Sequence, residues 1–338
     1  MRVQCDGVGV GNAPMKAIRA LLLLAMLASG CGRVAAPPPS ISANSAAKPV
    51  AFAPRKLTAE HLPNPWQIHP KVISGGLPAG EAAFGQLADL GIKTIISVDG
   101  ARPDVDLARK HGMRYVHLPH GYDGVPAERM KELAKAVRDL PGPIYIHCHH
   151  GKHRSPAAAA VACVGAGLLA PAAAEPILIA AGTSDAYQGL YQSAREARQF
   201  EKRLLDEMQP EFPETARLPP LAEAMVALEH AHDHLKQVAE AGWKSQPRHP
   251  DISPAHEALL LREHFTELLR TDEVQQRPEK FLALLRESES AARELEETLQ
   301  ALKLNEARQP FDRLTTNCKS CHAAYRDVPL SEKAKSAR

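Results

Sequence analysis

With 338 residues the chain exceeds the ~250 residues at which a single hydrophobic core stops growing, so two ordinary domains plus flexible ends are expected. Its 41 basic and 39 acidic residues nearly cancel to a formal +2, which gives no electrostatic case for nucleic acid as a partner. Aromatic residues make up only 4%, and long stretches rich in Ala, Leu and Glu point to helix rather than to a sandwich or barrel.

Residues 1–31 read as an export leader: Lys16 and Arg19 after Met15 precede the apolar run Ala20 to Leu27, too short to span a bilayer. The run ends in Leu27-Ala28-Ser29-Gly30-Cys31, which resembles the bacterial lipoprotein cleavage box, with Ala28 where that box usually has Leu. The resemblance implies a lipid anchor on Cys31 and a place in the periplasm or cell envelope; plain secretion, with Cys31 in the removed signal, is the alternative. Residues 32–65 follow as a tether, because the Ala-, Pro- and Ser-rich stretch from Arg33 to about Pro54 has almost no large apolar residue to bury.

From Trp66 short apolar runs alternate with amphipathic segments: Val72-Ile73-Ser74, Ala82 to Leu90, Thr94 to Val98, Leu107 to His111, Met113 to Leu118, Glu128 to Leu140 and Pro143 to Ile146. This pattern predicts an α/β domain with a mainly parallel sheet over residues 66–209. The strand Pro143 to Ile146 leads into His147-Cys148, and a helix is expected from Arg154 through Leu169, with others over Pro171 to Ala181 and Tyr187 to Met208. Cys163, inside an apolar run, reads as a small buried hydrophobe.

A Pro-rich linker, 210–220, separates this domain from an all-α four-helix bundle over 221–329, followed by a tail, 330–338. The first helix carries Leu221, Met225, Leu228, His232, Leu235 and Val238, and the second opens with Ser253 as N-cap and Pro254 at its first position. The third starts near Pro278. The fourth carries Phe311, Leu314, Cys318, Cys321 and Tyr325 at alternating three- and four-residue spacings, which puts both cysteines on the core-facing seam.

Cys318-Lys319-Ser320-Cys321-His322 has the spacing of c-type haem attachment: two thiols one helical turn apart reach the vinyl groups and the next His reaches iron. A disulfide or a zinc half-site are the alternatives; zinc would need two further ligands nearby. With four helices and the motif in the last, residues 221–329 resemble the cytochrome c-prime and cytochrome c-556 family. The resemblance implies one covalent haem c, His322 as the proximal iron ligand, and a residue of the first helix at the other iron face. In low-spin members that residue is a Met near the start of the first helix, a position Met225 matches. An ordinary core methionine is the other reading of Met225, and His230, His232 and His234 read as solvated or capping side chains.

His147-Cys148-His149-His150-Gly151-Lys152-His153-Arg154-Ser155 places five residues between Cys and Arg. That length lets the backbone N–H groups of residues 149–154 converge on a phosphate, with Gly151 permitting the turn and the helix that starts at Arg154 aiming its positive end at the same point. Arg154 can clamp two phosphate oxygens, and the same field leaves Cys148 as a thiolate able to attack phosphorus. Ser155 then helps the thiolate leave. The run matches the HCxxGxxRS signature of protein tyrosine and dual-specificity phosphatases, over roughly residues 66–190. The resemblance implies a phosphomonoester or phosphoprotein substrate and a phosphocysteine intermediate. Asp123, in Gly121-Tyr122-Asp123-Gly124, is the candidate acid for the leaving oxygen, although the family's interval from acid to nucleophile is usually somewhat longer; Asp99 and Asp104 are the fallbacks. His149, His150 and His153 read as outward-facing residues that add positive charge.

The combined reading is an exported phosphatase-like enzyme with a c-type haem domain for redox or sensing. The competing readings are an electron-transfer or gas-binding cytochrome with a redox partner and a non-catalytic oxyanion module, and redox chemistry at Cys148 itself.

Overall fold

The computed structural model describes residues 53–244 and 253–336. The expected leader, Cys31 and most of the expected tether lie outside the described residues.

Six strands make one sheet in the order β1-β2-β3-β6-β4-β5: β1 (Arg55–Lys56), β2 (Trp66–His69), β3 (Val72–Gly75), β4 (Thr94–Ser97), β5 (Arg114–His117) and β6 (Ile144–His147). Strands β3, β6, β4 and β5 are parallel, while β1 and β2 add an antiparallel edge, so the sheet is mixed. Alternation along the central strands feeds two cores. Ile95 and Tyr145 join Phe84, Leu87 and Tyr115 under α1 (Gly80–Asp89) and α2 (Val105–Lys110). Ile96, Ile144 and Ile146 face the other way, against α3 (Ala127–Asp139), α4 (Arg154–Gly165), α5 (Ala174–Ala181) and α6 (Gln188–Glu196). Every residue of α4 is buried, and its run of alanines lets the helix lie close on the sheet with its N-terminus at the end of β6.

Three expected boundaries shift. The sheet begins ahead of residue 66, because β1 pairs with Gln67 and Trp66 and Leu62 is buried. The helix expected over Tyr187 to Met208 is broken into α6 and α7 (Lys202–Glu207), since the Phe200 N–H turns back to the Gly165 carbonyl at 3.0 Å. The Pro-rich linker is held to the sheet: His117 N–H donates to the Pro213 carbonyl at 2.8 Å, and Ala216 N–H donates to His117 Nδ1 at 3.0 Å.

Beyond it, α8 (Pro220–Glu240), α9 (Pro254–Arg270), the short α10 (Asp272–Gln275), α11 (Glu279–Gln300) and α12 (Arg308–Cys321) share a core that includes Leu228, Leu235, Leu261, Phe265, Leu285, Leu295 and Leu314. A π-helical turn, His322–Arg326, ends α12. Residues expected as a tail form α13 (Leu330–Ser336), which folds back on the sheet-containing part: Leu330 N–H donates to the Asp123 carbonyl at 3.0 Å. No helix among the described residues is long and apolar enough to cross a membrane.

Candidate functional site

The loop from Cys148 to His153 joins the central strand β6 to the buried helix α4. Its carbonyls are tied outward. Leu77 N–H donates to the His149 carbonyl at 3.0 Å, Asn64 Nδ2 to that of Gly151 at 2.8 Å, and Thr183 Oγ1 to that of Lys152 at 2.6 Å. The N–H groups of residues 149–154 donate to no protein group among the described residues, so they are free to receive an anion. Gly151 makes the turn at φ 70°, a left-handed conformation that a Cβ disfavours.

Arg154 is buried beneath this loop, with Nε unpartnered among the described residues and the guanidinium 4.5 Å over the Tyr122 ring. Burial opposes its charge, but Tyr122, Cys148, Asp99 and Glu229 outweigh it and hold the guanidinium more firmly protonated. The buried Cys148 Sγ lies 3.4 Å from Ser155 Oγ, which donates to the Gly75 carbonyl at 2.9 Å. Thus Cys148, Arg154, Ser155 and the loop amides are gathered at one point.

Of the three loop histidines, expected to face outward, His150 is exposed while His149 and His153 are half-buried. His149 Nε2 pairs with Asp233 Oδ2 of α8 at 3.4 Å; this hydrogen bond raises its pKa against the opposing effect of burial. His150 lies edge-on to His149, ring centroids 4.4 Å apart, and burial lowers its pKa. His153 accepts from Ser184 N–H at 3.3 Å and is pushed down to about 4, first by burial and then by neighbouring cations. Lys152 is exposed.

Of the acid candidates, Asp104 caps α2 by accepting from Leu107 N–H at 3.1 Å. Asp99 is buried, with Oδ1 accepting from Ala101 N–H at 3.0 Å and from Ser97 Oγ at 3.3 Å. Asp123 is half-buried; its Oδ2 pairs with Lys333 Nζ of α13 at 2.8 Å.

On α12, Cys318 and Cys321 are free thiols one turn apart, Cys321 buried and Cys318 half-buried. Burial is the first cause raising both, Cys318 to about 11, so they are neutral thiols. The described residues hold no group of three His, Cys, Asp or Glu that could bind a metal ion. The His322 imidazole has no hydrogen-bond partner among the described residues, and burial, then Arg326, pushes it down to about 4, which leaves it neutral with a free lone pair. The core cluster that takes in both thiols also includes Leu314, Phe311, Tyr325 and Met225. His232 of α8 stacks on Phe311 at 5.2 Å and bonds Thr315 Oγ1 at 3.0 Å. Met225 lies two turns earlier on that face of α8, and Trp243, beyond the end of the helix, meets Phe311 at 5.5 Å. These contacts run α8 and α12 antiparallel. Apolar surroundings, two neutral thiols and a neutral imidazole fit a haem. His230 is exposed, and His234 bonds Glu257 Oε2 at 3.0 Å.

Sequence reasoning missed the helical part's contribution to the mouth of the phosphate loop. On α8, Val226, Glu229 and Asp233 form a stripe toward Gly100, Arg154 and His149. Arg326, at the end of the π-turn, lies 4.3 Å over the Tyr122 ring that also carries Arg154. Spacings of three and four residues on α8 were the available signal, but charges there also suit a solvated face.

Residues 266–326 match the Cytochrome C' family model, a segment that includes Cys318, Cys321 and His322. No curated protein matches the chain. Among solved structures, P. aeruginosa TpbA is similar at 21% identity over 42% of this chain and 89% of that chain, with a TM-score of 0.36. The core catalytic domain of the PP-IP phosphatase SIW14 from S. cerevisiae, in complex with citrate, is similar at 16% identity over 43% and 91%, with a TM-score of 0.37. PTPMT1 in complex with PI(5)P is similar at 18% identity over 39% and 94%, with a TM-score of 0.33. The C-terminal helices are thus similar to the Cytochrome C' family over residues 266–326.

Proposed function

We infer that the chain is an exported, haem-carrying phosphatase that hydrolyses phosphomonoesters through a phosphocysteine. What supports this reading is the loop of residues 148–154, whose carbonyls at 149, 151 and 152 are bonded to other segments while its 149–154 N–H groups have no protein partner among the described residues and Arg154 lies close to Cys148. Cys148 Sγ attacks phosphorus as the bond to the alcohol oxygen breaks, and the loop amides and Arg154 hold the three equatorial oxygens. Asp123 gives its proton to the departing oxygen, then accepts one from the water that hydrolyses the phosphocysteine. Ser155, already 3.4 Å from Sγ, turns its hydroxyl to the leaving thiolate.

The C-terminal helices are read as a four-helix bundle in which Cys318 and Cys321 would hold one haem c covalently, with His322 as the proximal ligand and Met225 as the candidate second ligand. When bound, the haem supplies one-electron or gas-ligand chemistry. Export would deliver the chain to the compartment where such attachment takes place, with Cys31 as lipid anchor in the cell envelope.

The test is turnover of p-nitrophenyl phosphate and vanadate binding by the full haem-loaded chain. Cys148→Ser abolishes turnover and leaves vanadate binding within a few-fold, because the amides and Arg154 remain. Arg154→Ala loses both. Vanadate binding without any hydrolysis by the unmutated protein makes the loop an oxyanion-binding module in a cytochrome instead.

A further inference from the structure

The candidate acid is held by the segment that follows the haem-attachment motif. Lys333 Nζ lies 2.8 Å from Asp123 Oδ2 and 3.2 Å from the carbonyl of Arg326, the last residue of the turn that opens with His322. Leu330 N–H donates to the Asp123 carbonyl at 3.0 Å, and Ser331 Oγ bonds Gln192 Oε1 of α6 at 2.8 Å. Arg326 covers the Tyr122 ring at 4.3 Å. The second carboxylate oxygen of Asp123 folds back over Gly121, and no hydrogen bond joins Asp123 to residues 148–155 among the described residues. The carboxylate is thus held toward α13 rather than toward the phosphate loop.

We propose that Lys333 is a positioning residue that, with Arg326 and Leu330, straps the acid loop with the Asp123 carboxyl drawn toward α13 and away from the phosphate loop, so that esters with poor leaving groups turn over faster when the segment is released. The strap begins where the π-turn of His322 ends, so whatever moves that turn moves the strap. This inference rests on the phosphatase reading, and two independent measurements separate them.

The first is hydrolysis by the full haem-loaded protein of an alkyl phosphate, which needs a proton on its leaving oxygen, against p-nitrophenyl phosphate, which needs little. Lys333→Met raises kcat on the alkyl ester roughly three- to fivefold, the scale of a half-exposed ion pair, with KM and the p-nitrophenyl rate nearly unchanged. Lys333→Arg restores the unmutated ratio. The second is amide hydrogen exchange over residues 123–125, which includes the Val125 N–H bonded to Ser193 Oγ at 2.9 Å; it accelerates by a similar factor in Lys333→Met. Unchanged exchange, or an alkyl rate that stays level or falls, overturns the strap. If no form of the protein hydrolyses either ester, the phosphatase reading and the effect of the strap on turnover both fail. Exchange still decides whether Lys333 holds the loop.

Discussion

Gly151→Ala tests the phosphate loop at its most constrained point. Two effects combine there. The residue has φ 70°, which costs an L side chain about 1 kcal/mol. A Cβ would also come 2.5 Å from the Gly75 carbonyl carbon and 3.0 Å from its oxygen, where ordinary contacts need about 3.5 Å, so the loop and the end of β3 must part by roughly 1 Å. Gly91 separates the two effects, since it has φ 74° but nothing within 4 Å of its Cβ position. Gly91→Ala is expected to lose about 1 kcal/mol of stability and no vanadate affinity. Gly151→Ala is expected to lose about 2–4 kcal/mol through strain and overpacking, and about a hundredfold in vanadate affinity through the 1 Å misplacement. Denaturant melts give the stabilities, and the rise in melting temperature with vanadate reads binding: at a hundred times Kd it amounts to about 2.7 kcal/mol. A Gly151→Ala protein that binds vanadate within threefold of the unmutated one refutes the close-packed loop.

Two further tests address the helical part. Protein denatured on a gel should retain haem, and Cys318→Ala with Cys321→Ala should lose it; free extraction into acid acetone would remove the covalent reading. The His149–Asp233 pair should make docking of α8 on the phosphate loop depend on pH: His149 is raised, so its contribution is complete below its ordinary value of 6.5 and is lost as pH climbs through the raised one. Asp233 is lowered, first by that hydrogen bond, so its share is complete above its ordinary value of 3.8 and is lost as pH falls through the lowered one. Between pH 6 and pH 8.5 the unmutated protein should lose about 0.2–1 kcal/mol relative to Asp233→Asn, and equal pH profiles of the two in thermal melts would count against the pair.

What could be read from the sequence was local. The run from His147 to Ser155 and the run from Cys318 to His322 are contiguous, so one turn of backbone fixes their geometry wherever the domain lies. Ala197 to Glu201 contain neither Gly nor Pro, so helical periodicity carried through a stretch that the Phe200–Gly165 hydrogen bond bends. Strand β1 consists of two exposed residues, Arg55 and Lys56, and has no apolar pattern to reveal it. The contacts that complete the mouth of the loop are illegible for a different reason: His149–Asp233 and Asp123–Lys333 join distant segments, and docking rather than periodicity brings them together.

The bond from Lys333 to Asp123 spans 210 residues, which also makes it an event late in the life of the chain. A polypeptide emerges N-terminus first, and at about 5–20 residues per second that interval lasts roughly ten to forty seconds. The strands and helix that hold Cys148 and Arg154 lie wholly upstream, as does Ser193, which bonds Val125 of the acid loop, so both loops can form before Lys333 is made. His322 is made before Lys333 as well. Closure of the C-terminal segment therefore needs the whole chain, and the restraint on Asp123 is the last part of the phosphate site to be completed.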